Sequence, residues 1–79
     1  MNQEIILKHV NHLKKLDSSH QLILCGPFSD HPSGIVIIHA KDLPEATQIA
    51  LSDPFVKEGY RSFEIRTLEV ANKENNYLL

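Results

Sequence analysis

An α+β plait is the fold class this sequence predicts, and three observations predict it. A first stretch carries apolar residues mostly three apart, two short apolar runs flank a turn-rich loop, and an alternating run lies near the end. The resulting order of helix, strand, strand, helix, strand fits helices layered on a sheet. A chain of 79 residues is one domain, and one this small is marginally stable unless something adds buried surface. A homodimer is the expected addition.

Composition narrows the partners. With 42% hydrophobic and 23% charged residues the chain is ordinary for a globular protein. No apolar run approaches the roughly 20 residues of a membrane span, so no membrane partner is expected. Ile5, Ile6 and Leu7 are followed at once by Lys8 and His9, which does not read as a signal peptide. A net charge of −2 provides no general pull toward nucleic acid, and Lys8, Lys14 and Lys15 read as a solvated helix face rather than a phosphate contact. The single Cys25 excludes an internal disulfide and fits a reducing, cytoplasmic location. At the end of an apolar run it reads as a small core residue rather than a nucleophile.

Taken in order, Ile6, Leu7, Val10, Leu13 and Leu16 form one stripe of an amphipathic helix from Gln3 to about Asp17. At about 100° per residue His9 falls inside this stripe near one edge, and His12 just beyond it, toward solvent. Ser18, Ser19 and His20 break the pattern. Leu22 to Cys25 then reads as a strand ended by Gly26-Pro27, and Ile35 to Ile38, β-branched throughout, as a strand buried on both faces. Asp42 ahead of Leu43-Pro44-Glu45 opens a second helix with Ala46, Ile49 and Ala50 inward. Pro54 to Gly59 predicts a short helical turn stopped by the glycine. Phe63, Ile65 and Thr67, alternating with Glu64, Arg66 and Leu68, predict a half-buried last strand. The tail is polar from Ala71 to Asn76, and Tyr77-Leu78-Leu79 frays or docks on a neighbour.

Several pieces together resemble the YciI-like (YCII-related) proteins. They are His9 and Leu13, Cys25-Gly26-Pro27-Phe28 with Asp30, Ser33-Gly34, and Ser52 through Gly59. The resemblance covers roughly residues 4 to 70, and its weight lies in the ordered set rather than in any one piece. It implies a ferredoxin-like plait that pairs into a dimeric α/β barrel, with residues 1–79 as a single such domain. Members of that family begin with a central β-strand ahead of the first helix, whereas only Met1 to Gln3 precede it here. A start upstream of Met1 is therefore expected, with the tail or a partner filling the gap as the alternative.

The resemblance also implies a catalytic His-Asp pair, which maps to His9 and Asp30. A carboxylate beside an imidazole fixes its tautomer and raises its basicity, making a general base usable near neutral pH. Gly26, Pro27, Ser33 and Gly34 would bind substrate, Ser33 holding an oxygen and the glycine backbones allowing close approach. Proton abstraction, isomerisation, elimination or hydrolysis on a small organic molecule are all compatible, with no cofactor. The plain alternative makes His9 an edge residue of the stripe and Asp30 a turn former, in a non-catalytic dimeric ligand-binding or accessory module. Asp53 ahead of Pro54 reads as a local cap. The five histidines complete no metal-site motif, so no metal is expected. Phosphate-loop, dinucleotide and serine-nucleophile motifs are absent.

Overall fold

The computed structural model describes residues 2–79; Met1, and with it the expected upstream start, lies outside the described residues. The first helix, α1, runs Gln3–Ser18. Asn2 caps it, its side-chain oxygen accepting from the Ile5 amide at 3.0 Å. At the other end His20 adopts φ 62°. That left-handed residue lets its own amide reach the Asp17 carbonyl and the Gln21 amide reach the Leu16 carbonyl, at 3.1 and 2.9 Å. Together the two bonds form a Schellman stop that turns the chain into the sheet.

Strands β1 (Leu22–Pro27) and β2 (Gly34–Ile38) pair antiparallel, with Cys25 opposite Val36 and Pro27 opposite Gly34. Leu22 faces Ile38 and Leu24 faces Ile37, so Ile23 is the extra residue of a bulge. Phe28 donates its amide to the Ser33 carbonyl at 2.9 Å, closing the loop between the strands. Helix α2 spans Leu43–Ser52, capped by Asp42 through the Glu45 amide at 2.9 Å. One turn, α3, follows at Pro54–Lys57, and Gly59 at φ 80° ends it, in a region that glycine enters without a Cβ penalty. Asn72 caps a final 3₁₀ turn at Lys73–Leu78, where Tyr77 and Leu78 are exposed.

Three expectations are corrected. The last strand does not form: residues 63–68 join no ladder, and the described sheet is β1 with β2 alone. A strand exists only by pairing, and this segment meets neither edge of that sheet. Arg66 instead bonds the Ile65 carbonyl and the Glu64 carboxylate beside it. Strand β2 is not buried on both faces either, since Ile35 and Val36 are each more than 40% exposed. A two-stranded sheet with few helices has too little chain to cover both sides.

The third correction concerns α1. Its buried residues are Ile5 and Leu16, while Ile6 and Leu7 are exposed. Ile5, His9, His12 and Leu16 stand at i, i+4, i+7 and i+11, so they share one face. That face packs on α3 and β1. Both histidines therefore sit in the middle of the inner face, and His12, expected toward solvent, is half-buried.

Candidate functional site

The inner face of α1 carries His9 onto the junction between α2 and α3. Asp53 ends α2 and caps α3, its Oδ1 accepting the Phe55 amide at 2.9 Å. The same oxygen lies 2.8 Å from His9 Nδ1. The two side chains are 19% and 15% exposed, so the contact is sheltered without being sealed. Phe55 completes the seat: its ring lies parallel to the imidazole, with centroids 3.9 Å apart and planes 8° from parallel. Beside this cluster Lys8 bridges Glu58 at 3.3 Å, tying α1 to the end of α3.

A carboxylate can only accept at Nδ1, so in the neutral ring Nδ1 carries the proton and Nε2 holds the free electron pair. Among the described residues Nε2 has no protein partner, yet no buried side-chain nitrogen or oxygen is left unpaired. Nε2 thus keeps contact with water. The arrangement is an oriented imidazole with its basic nitrogen open, able to act as a general base.

His12 lies one turn along α1. Burial pushes its imidazole below the ordinary value of 6.5; the Asp53 carboxylate opposes this, and repulsion from His9, when that ring is protonated, and from Lys15 adds to it.

Asp30 is not the partner of His9 Nδ1; Asp53 is. Asp30 sits exposed in the loop between β1 and β2, with no side-chain hydrogen bond among the described residues. Nearby, the Ser33 hydroxyl lies 2.7 Å from His31 Nδ1. A Cβ at Gly34 would lie 2.7 Å from the Gly26 carbonyl oxygen, whereas one at Gly26 would meet nothing within 4 Å. The close approach therefore belongs to Gly34 against the backbone of the facing strand. Pro27 ends β1 opposite Gly34. Two open concavities, one lined by Lys14 and Lys15 and one by Pro44 and Gln48, include none of these residues. Among the described residues no cluster of three or more His, Cys, Asp or Glu could hold a metal, and no helix is long and apolar enough to cross a membrane.

Asp53 as the histidine's partner was missed because its capping role already explained it. The signal was the spacing of Ile5, His9, His12 and Leu16, which places both histidines on the face that must pack.

The site thus consists of a helix carrying an inward histidine, packed on β1 and on the short helix Pro-Phe-Val-Lys with its Asp53 cap. The family model of the YCII-related domain matches residues 1–69, and the chain belongs to that family. The uncharacterized protein YjpA of Bacillus subtilis (strain 168) is 37% identical over 65 residues, covering 82% of this chain and 76% of that protein. No solved structure matches the chain.

Proposed function

We propose that this chain is a cofactor-independent enzyme acting on a small molecule, with His9 Nε2 as its general base and Asp53 as the group that orients it. The observation that carries this reading is the 2.8 Å contact of His9 Nδ1 with Asp53, which leaves Nε2 open. Removing a proton from substrate turns the ring into an imidazolium, and the adjacent carboxylate stabilises that charge. Asp30, which makes no side-chain hydrogen bond among the described residues, serves as a second carboxylate for a polar group of the substrate. Gly26, Pro27, Ser33 and Gly34 form the loop wall beside it. Family resemblance supports Asp30 in the site; the hydrogen bond supports Asp53 as the orienter.

The working form is a homodimer in the cytoplasm. Ile23, Leu24, Ile35 and Val36 leave apolar surface on the sheet exposed, and a second copy is the simplest cover. The competing reading, a non-catalytic binding module, draws on the open surface around Nε2, which neither of the two concavities described above includes.

The test has two parts. Nitrogen NMR of the His9 ring in wild type should show the proton on Nδ1; Asp53→Asn should disturb that pattern and Asp30→Asn should leave it intact. Small carbonyl compounds in D2O should then exchange their α-protons with wild type and not with His9→Gln. Equal exchange by His9→Gln would end the enzymatic reading, and a tautomer lost in Asp30→Asn rather than Asp53→Asn would return the dyad to the loop carboxylate.

A further inference from the structure

We propose that His12 is the proton-exchange partner of His9, taking up the proton that His9 Nε2 has accepted and passing it to solvent. The inference rests on the reading of His9 as a base, but it concerns a residue which that reading does not use.

Geometry places the two rings together. On the inner face of α1 they stand three residues apart, between buried Ile5 and Leu16, and residues so spaced hold their Cβ atoms about 5–6 Å apart. That is a gap which the rings, or one water between them, can close. The Asp53 carboxylate that bonds His9 Nδ1 also acts electrostatically on His12. His12 is half-buried and makes no hydrogen bond among the described residues; since no buried side-chain nitrogen is left orphaned, its ring nitrogens also touch water.

The charges around it suit the task. Asp53 acts on His12 from the α2–α3 junction, while His9 and Lys15 flank it one turn to either side on α1. Burial keeps His12 neutral where an ordinary histidine would begin to charge, so it presents a free electron pair when His9 becomes an imidazolium. In the transfer the Nε2–H bond of His9 breaks, its electron pair stays on Nε2, and a new N–H bond forms on His12. His12 then loses that proton to water, aided by its own lowered basicity and by Lys15. His9 is left neutral for another cycle. His12 is a positioning and relay residue rather than a catalytic one, for it does not touch the substrate.

The experiment is NMR on the full chain, with no substrate required. Exchange of the His9 Nε2–H of the protonated ring with water is measured in wild type, His12→Gln and His12→Asn, with and without added free imidazole. The midpoint of His12 is followed in His9→Gln and Asp53→Asn. Exchange should slow in both His12 variants and recover with free imidazole, a rescue that a purely structural role would not allow. The His12 midpoint should rise in His9→Gln, where a neighbouring positive charge is lost, and fall in Asp53→Asn, where the opposing negative charge is lost. Unchanged exchange in a folded His12→Gln overturns the relay, as does slowed exchange that imidazole fails to restore. Failure of the His9 reading is seen separately, as a wild-type ring whose proton is not on Nδ1.

Discussion

Phe55 lies flat against the His9 ring, 3.9 Å between centroids, and the same residue's backbone amide shares the Asp53 oxygen that holds His9 Nδ1. One short turn thus fixes the imidazole in two ways, by a face and by an edge. Phe55→Leu keeps an apolar contact but loses the flat surface. The His9 ring-proton resonances, shifted upfield by the stacked ring in wild type, should move downfield in the variant. Urea unfolding should show a loss of about 1–3 kcal/mol, less than full deletion of a buried aromatic costs.

The half-buried His12 makes stability depend on pH. Its folded midpoint lies below 6.5, whereas in the unfolded chain the ring titrates at the ordinary value. Between those two values the unfolded state binds more protons, so stability falls as pH falls. The contribution is present above the ordinary value and is lost on descending through the lower, folded one. Urea midpoints should therefore drop more steeply for wild type than for His12→Gln on going from about pH 7 to about pH 5.

The hairpin separates its two glycines. Gly34→Ala brings a Cβ to 2.7 Å from the Gly26 carbonyl oxygen, a backbone atom that can move only if the strand pair shifts. A cost of about 1–3 kcal/mol is expected, as for overpacking. Gly26→Ala meets no such atom and should cost clearly less. Equal costs in a urea titration would contradict this close approach.

His20 closes α1 at φ 62°, a conformation in which its Cβ is unfavourable. His20→Gly should preserve the Schellman bonds and remove that penalty. The net gain is at most about 1 kcal/mol, since glycine also frees the unfolded chain. A rise in thermal midpoint checks it, and a fall would mean that the His20 side chain contributes more than its backbone costs.

Local chemistry made much of the chain legible before any coordinates. Asp42 ahead of Leu43-Pro44 opens α2, Gly59 stops the turn after Pro54, and the two apolar runs around the loop pair as a hairpin. Each rests on a preference acting over a few residues. The inner face of α1 was less legible, because apolar side chains occur on more than one side of it. Counting Ile6 and Leu7 into the stripe displaced its centre and left His12 outside. The run from Phe63 to Leu68 has the alternation of a strand, but alternation supplies no partner.

The sequence by itself determined the helices α1 and α2 and the turn after Pro54, the caps at Asp42 and Gly59, the hairpin of the first two apolar runs, and that His9 lies within the apolar stripe of α1. These follow from spacing, caps and turn residues, which act within a few positions of the chain. Only the tertiary structure decided which carboxylate meets His9. Asp30 and Asp53 are both plausible on paper, lying 21 and 44 residues from it. The packing of α1 on α3 brings the second to 2.8 Å. Contacts between distant residues depend on how helices and sheet dock, and the same docking turned His12 from a surface histidine into a half-buried one whose imidazole burial pushes below its ordinary value.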